Sequence, residues 1–341
     1  MTHTVSREIR LKNRPDGLPR ETDFELAEVE LAGLGEGEVL VQNIYMSVDP
    51  YMRGRMHDRK SYVPPFQLNM PLDGGCVGRV IESKKGPFQV GDCVLGMLGW
   101  REYFISDGQG LVKVDPGIAP IQSYLGTVGM PGLTAYAGLL HIGKPVEGET
   151  VFVSAASGAV GSVVCQIAKL KGCHVVGSAG SDEKVSWLLN EAGVDAAFNY
   201  KTVGDVIAEV GKHFPKGIDV YFENVGGVHL EAALEHMNTH GRIVLCGMIS
   251  MYNATQPVPG PTNLAYIIIK QLTMQGFIVT DHFDKMQQFY ADMGKWIAEG
   301  KIKWKETVVD GIENAPKAFI GLFKGENFGK MIVKIGPDEG N

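Results

Sequence analysis

Polar and apolar positions follow two different rhythms along this chain. Up to about residue 120, short apolar runs alternate with turn signals. Val39–Tyr45 alternates residue by residue and predicts a strand. Cys76–Glu82, Gly91–Gly96 and Glu102–Ile105 predict further strands, punctuated by Pro64-Pro65, Gly86-Pro87 and Asp115-Pro116-Gly117. Strands this close together, without helices, predict a small, mostly antiparallel β domain. From about residue 121, apolar runs alternate with helix-period stripes. Val151–Ser154, His174–Gly177, Ala196–Asn199, Ile218–Phe222, Arg242–Cys246 and Thr273–Val279 read as strands. Helices are expected near 183–191, 204–210, 228–237 and 263–271. In 284–299, Met286, Phe289, Tyr290, Met293 and Ile297 share one helix face. This alternation predicts an α/β fold with a doubly wound parallel sheet. The tail returns to strand-like runs at Glu306–Val309 and Lys330–Lys334, around a helix at 315–323. It is too short for a domain of its own. The expected organisation is therefore a β domain from 1–121 and 301–341, and a doubly wound α/β domain at 122–300.

The stretch Val151-Phe-Val-Ser-Ala-Ala-Ser-Gly-Ala-Val-Gly161 carries the first chemistry. A strand leads into the turn Ala156-Ser-Gly158-Ala-Val-Gly161, and a helix stripe of Val160, Val163, Val164, Ile167 and Ala168 follows. This is a dinucleotide fingerprint with alanine at its first glycine position. Gly158 allows close approach of a pyrophosphate, Gly161 allows the helix to pack tightly, and free N–H groups of the first turn face the anion. An NAD-binding unit usually ends its second strand on an acid. Gly177-Ser-Ala-Gly180 has none there, and Ser178, Ser181 and Lys184 suit a 2′-phosphate. This favours NADP, although Asp182 nearby argues the other way and Lys184 reads equally well as a solvated helix lysine. Ligands of such sheets lie beyond the strands' carboxyl ends. Asn224-Val-Gly-Gly227 and Cys246–Tyr252 stand there, with Cys246 read as a small packing residue.

The 341 residues are enough for two domains. A net charge of −7 with both signs mixed gives no basic stripe, so nucleic acid is not an expected partner. Five cysteines, odd in number and without a C-x-x-C pair, suit a reduced cytoplasmic protein. No apolar run reaches membrane length and the first residues lack a signal-like apolar core, so no membrane association is expected. The nine histidines are scattered, and a metal-free protein is expected. No G-x-S-x-G elbow occurs, which disfavours a serine hydrolase.

Five segments together carry a resemblance across essentially the whole chain. They are Val48-Asp-Pro-Tyr-Met-Arg-Gly-Arg-Met56, Gly129-Met-Pro-Gly-Leu-Thr-Ala-Tyr136, Ser157-Gly-Ala-Val-Gly161, Tyr221-Phe-Glu-Asn-Val-Gly-Gly227 and Asn327-Phe-Gly-Lys-Met331. In them the chain resembles the medium-chain dehydrogenase/reductase superfamily. Within it, the chain is similar to the zinc-independent, NADP-dependent double-bond reductases that act on alkenals and enones, prostaglandins or curcumin. The zinc alcohol dehydrogenases carry Gly-His-Glu where this chain has Asp73-Gly-Gly75, and a cysteine-rich lobe that is missing here.

The resemblance implies a GroES-like β domain beside the Rossmann sheet, and NADPH as cofactor. Gly158, Ala159, Val160 and Gly161 would hold the pyrophosphate. Lys184 and Tyr200 would contact the 2′-phosphate. Asn224, Cys246, Gly247, Phe277, Ile278 and Val279 would line the nicotinamide, and Asn327 would reach the cofactor from the tail. Tyr252 would donate a proton or stabilise an enolate, and Tyr51 resembles a substrate-pocket tyrosine. Either tyrosine also reads as a buried aromatic with its hydroxyl satisfied. The implied reaction is hydride transfer from NADPH to the β-carbon of an α,β-unsaturated ketone or aldehyde, then protonation of the enolate. A quinone reductase, a zinc-free alcohol or hydroxy-eicosanoid dehydrogenase, and a non-catalytic NADPH-binding protein remain the alternatives. Relatives are often homodimers, and Gln275–Thr280 offers an apolar strand for pairing across a two-fold axis.

Overall fold

The computed structural model describes residues 4–338. The chain forms two compact units, Met1–Leu125 with Glu306–Asn341, and Gly126–Lys305. In chain order, the first unit begins with β1 (Val5–Leu11) and β2 (Phe24–Glu30), paired antiparallel. Then come β3 (Glu38–Ser47), α1 (Met52–Arg55), β4 (Cys76–Lys84), β5 (Cys93–Gly96), β6 (Tyr103–Ser106) and β7 (Val112–Lys113). The second unit contains α2 (Met130–Ala137), β8 (Thr150–Val153), α3 (Gly161–Leu170), β9 (His174–Ala179), α4 (Asp182–Asn190), β10 (Ala196–Asn199) and α5 (Val206–His213). It continues with β11 (Ile218–Glu223), α6 (Val228–His236), β12 (Met237–Leu245), α7 (Tyr266–Ile269), β13 (Thr273–Gly276) and α8 (Met286–Ala298). The chain returns to the first unit with β14 (Glu306–Asp310), α9 (Ala315–Leu322) and β15 (Lys330–Lys334).

In the first unit the sheet runs β14-β15-β3-β4-β5-β7, with β6 against β3. All of its pairings are antiparallel except β14 with β15. β3 departs from the alternation its sequence suggests, because nearly every residue is buried from Val39 to Ser47. It is a central strand with neighbours on both edges and cover on both faces, so no side faces water. Trp100, Phe24 and Phe319 pack together in the core beneath it.

The second unit is a doubly wound parallel sheet in the order β10-β9-β8-β11-β12-β13. Its inner strands are continuous apolar runs, as burial on both faces requires: Val151, Phe152, Val153, Val220, Tyr221 and Phe222 are fully buried. The fingerprint helix α3 has all residues from Gly161 to Ala168 buried. Two expectations change. The helix expected over 263–271 shrinks to α7, whose Ile268 and Ile269 are exposed, so their apolar run signals surface rather than core. The strand expected to Val279 ends at Gly276, and a 3-10 turn takes over from Val279 to Lys285. On α8, Phe289 and Met293 are fully buried but Tyr290 is exposed, so the contact stripe is narrower than the apolar face. Among the described residues, no helix is long and apolar enough to cross a membrane.

Candidate active site

Strand order reverses between β8 and β11, so the crevice for a ligand lies beyond the carboxyl ends of these two strands. The turn after β8 is built for close packing. Ala155 takes a left-handed conformation (φ 47°). A Cβ on Gly161 would stand 2.4 Å from the Ala155 carbonyl oxygen and 2.9 Å from Ala156 Cα, so only glycine lets α3 start here. A Cβ on Gly158 would meet only the Ala155 oxygen, at 3.2 Å, which leaves the outer side of the turn open. No side chain caps the start of α3, but the expected free first turn is partly closed: the Ser162 and Val163 N–H groups donate to the Gly158 and Val160 carbonyls at 3.0 and 3.1 Å. The missing first glycine has a local compensation. Ala156 is fully buried, and a Cβ on Gly177 of β9 would lie 2.6 Å from its methyl group. Gly177 therefore makes the room that the alanine takes up. These features fit the pyrophosphate of a dinucleotide.

The end of β9 leads to the next group. Ser178 is fully buried with an unpartnered hydroxyl, so its side chain does not present itself to a ligand. Ser181 caps α4 by accepting the Lys184 N–H at 3.4 Å. The carboxylate of Asp182 accepts from the Asn199 side-chain amide at 2.7 Å. Around Gly180, the Tyr200 hydroxyl and Lys201 Cε lie 3.2 and 3.3 Å from where a side chain would begin. Burial lowers the pKa of Lys184, and the nearby positive charge of Lys201 lowers it further. Burial raises the Tyr200 phenol. Behind the Tyr200 ring, 5.1 Å away and edge-on, sits His229. Neither of its ring nitrogens has a protein hydrogen-bond partner, and burial pushes its pKa down to about 4. Lys201 escaped the sequence reading; its one signal is that it follows Tyr200.

A pocket of about 570 Å³ opens at the carboxyl ends of β12 and β13, lined by Cys246, Gly247, Met248, Tyr252, Phe277 and Ile278, with Asp281 at its margin. Tyr252 closes the short 3-10 turn Ile249–Met251, and its hydroxyl accepts the Met248 N–H at 3.3 Å. A Cβ on Gly247 would lie 3.0 Å from that hydroxyl, so glycine leaves space for it. Burial, followed by the nearby Glu223, pushes the Cys246 thiol up to about 12, which leaves no appreciable thiolate for nucleophilic chemistry. Phe277 and Ile278 line the wall and Val279 begins the turn beyond. Asn224 is fixed from β8: its N–H donates to Ser154 Oγ at 2.9 Å and its side-chain amide to the Ser154 carbonyl at 2.8 Å. Met248, Asp281 and Glu223 are additions to the residues singled out from sequence.

Tyr51 and Asn327 belong to the other unit. Tyr51 precedes α1 and packs against the core, and burial followed by the Asp49 charge raises its phenol pKa. Asp49 is itself buried and paired with the buried Lys330 Nζ at 3.0 Å. The Asn327 amide donates to the Gly329 carbonyl at 2.9 Å.

Among the described residues, no three His, Cys, Asp or Glu side chains gather closely enough to hold a metal ion. His236 and His240 have a helical metal-site spacing, but α6 ends at His236 and His240 lies on β12. These residues do not fit a zinc ion.

Two family models match the chain: an N-terminal domain of oxidoreductase over residues 7–114, and a zinc-binding dehydrogenase over residues 159–299. The chain is 46% identical to the NADPH-dependent curcumin reductase of Escherichia coli, over 96% of each protein. It is 46% identical to the NADP(+)-dependent 2-alkenal reductase of Nicotiana tabacum, over 98% of this chain and 99% of that one. The crystal structure of CurA from Vibrio vulnificus in complex with NADPH superposes with a TM-score of 0.92 at 45% identity, covering 97% of this chain and 100% of that one. The chain belongs to the medium-chain dehydrogenase/reductase superfamily, in its zinc-independent, NADP-dependent double-bond reductase family. It is an NADP-dependent oxidoreductase of that family.

Proposed function

We propose that this protein uses NADPH to reduce the C=C bond of α,β-unsaturated ketones and aldehydes. The observation that carries this reading is the Tyr252 hydroxyl in the pocket of Cys246, Gly247, Phe277 and Ile278, with no metal-binding cluster among the described residues and no acidic thiol at Cys246. NADPH, when bound, supplies the hydride that adds to the β-carbon. The unit Gly126–Lys305 binds this cofactor. Gly158, Ala159, Val160 and Gly161 hold the pyrophosphate, Lys184 and Tyr200 the 2′-phosphate, and Asn224, Cys246, Gly247, Phe277, Ile278 and Val279 the nicotinamide side. Asn327 completes the set. As negative charge builds on the substrate's carbonyl oxygen, the Tyr252 hydroxyl donates a hydrogen bond to it, and Tyr252 or water protonates the α-carbon. Tyr51 is the substrate-contacting tyrosine of this reading, a neutral phenol whose pKa burial raises further.

The test is loss of NADPH absorbance with a simple enone, beside NADH and beside a saturated ketone. Loss with the enone and NADPH alone supports this reading. Loss with the saturated ketone would instead mean carbonyl reduction. NADPH binding without turnover of either, together with turnover of a quinone, would make the protein a quinone reductase. A cytoplasmic location accords with five cysteines that are all free thiols. A homodimer paired through β13, which is an edge strand of its sheet, is the assembly this reading expects. Light scattering should then give twice the mass of the chain, and a monomer's mass would refute it.

A further inference from the structure

Glu223 ends β11 at the switch point and is wholly buried. Its two carboxyl oxygens are treated very differently. Oε1 accepts three hydrogen bonds: Ser154 Oγ at 3.0 Å, the Val225 N–H at 2.6 Å and the Gly226 N–H at 2.9 Å. Oε2 is buried and has no protein hydrogen-bond partner. The groups that act on this carboxyl are Tyr221, Ser154 and the two backbone N–H groups, and none of them is a cation. Tyr221 stands two residues back on the same strand face, its hydroxyl buried and likewise outside hydrogen-bond geometry. The thiol of Cys246 is the other titratable group that feels Glu223. A full negative charge on a dry oxygen beside a phenol and a thiol is unfavourable. Burial accordingly raises the carboxyl pKa. A proton on Oε2 removes that charge and leaves Oε1 free to accept all three bonds.

Those three bonds reach the proposed cofactor site. Val225 and Gly226 start the turn that continues through Gly226 and Gly227 in left-handed conformations (φ 79° and 57°). Ser154, which donates to Glu223, receives the N–H of Asn224 on the same oxygen. The Glu223 carbonyl also accepts the N–H groups of Cys246 and Gly247, at 3.0 and 3.1 Å. One residue thus ties together the ends of three neighbouring strands.

We propose that Glu223 is a positioning residue: as a neutral carboxylic acid it holds the turn Asn224–Gly227, and through Ser154 Oγ the backbone N–H of Asn224, in the geometry that receives the nicotinamide. This rests on the placement of Asn224 at the nicotinamide given under Proposed function.

The experiment compares NADPH dissociation constants, measured by fluorescence titration, and KM against kcat for the full-length wild type, E223Q, E223A, S154A and N224A, with thermal unfolding of each. Glutamine is the neutral isostere of the acid, and its carbonyl accepts the same three bonds. E223Q should therefore bind NADPH within about threefold of wild type. E223A should weaken binding about tenfold or more, with KM for NADPH rising alongside, since three donors lose their acceptor at once. If E223A does not fold, S154A removes the Oγ that joins Glu223 to the Asn224 N–H with Glu223 in place, and it should weaken NADPH in the same sense. E223Q as impaired as E223A would show that the charge is needed and overturn the neutral acid. Folded E223A or S154A with wild-type affinity would overturn the positioning role. N224A with wild-type affinity would instead sink the placement of Asn224. Wild-type NADPH binding without enone turnover would sink the proposed reaction while leaving this comparison of affinities readable.

Discussion

At the scale of single residues, the Tyr252 hydroxyl accepts the Met248 N–H at 3.3 Å, over a glycine that makes room for it. Under the proposed reaction, Tyr252→Phe keeps the ring and removes the donor. Loss of one oxyanion donor lowers kcat by about 10²-fold or more, and KM for NADPH should stay near wild type. Unchanged kcat would pass the proton-donor role to water. Under the proposed function, single residues also set the cofactor preference. Lys201 bears on Lys184 and its stem approaches Gly180 beside the Tyr200 hydroxyl, while Asp182 is occupied by Asn199. Lys201→Ala should raise KM for NADPH and leave KM for NADH unchanged, because only the former carries a 2′-phosphate. Equal effects on both cofactors would remove Lys201 from phosphate recognition. Much of this layer was legible in the sequence, because glycine announces backbone constraints directly: Gly161 stands where a methyl group would strike a carbonyl. Side-chain direction was less so. Ser178 lies at the expected strand end, yet β9 is buried on both faces there and the hydroxyl is buried with it. Glu223 sat inside a recognised motif, but nothing in a linear sequence says that one of its oxygens gathers three donors.

At the scale of elements, α6 packs near the end of β10 and brings His229 against Tyr200. His229 titrates near 6.5 when exposed and at about 4 here, because burial disfavours the imidazolium. Between those values the unfolded chain binds the proton and the native one does not, so stability rises with pH. The contribution is therefore full above pH 6.5 and is lost as pH falls toward 4, by up to about 1.4 kcal/mol per pH unit. His229→Leu removes that titration. Chemical denaturation at pH 6.5 and 4.5 should show the wild type losing about 2 kcal/mol more than the variant. Equal losses would mean that His229 is protonated, or hydrated, in the native state. Elements with strong periodicity or long apolar runs, such as α3 and β11, could be read directly, since burial on defined faces dictates them. The segment 263–279 could not. Its apolar residues Ile268 and Ile269 are solvent-exposed on a helix of four residues, so hydrophobicity there does not report a core.

At the scale of the whole chain, the first unit is discontinuous in sequence: its sheet begins with residues before 126 and is completed by residues after 305. β15 inserts between β14 and β3, and Val333 and Phe319 from this last stretch are fully buried in the same core as Val39, Val41 and Met46. Removing residues 306–341 would strip β3 of its hydrogen bonds at Tyr45–Ser47, leaving β6 on Val39–Gln42, and open that core. The second unit has its own six-stranded sheet and its own aromatic cluster of Phe152, Phe198, Phe214 and Tyr221, which do not depend on the tail. A chain ending at Lys305 should therefore lose the first unit and keep the second. Limited proteolysis followed by mass spectrometry should find the segment before Gly126 degraded and a resistant fragment over 126–305. That fragment should still quench on NADPH addition, more weakly for want of Asn327, and should turn over no enone. A truncated chain that protects residues 38–125 would show that β3 closes its sheet without β15, and the tail would then serve the cofactor rather than the fold.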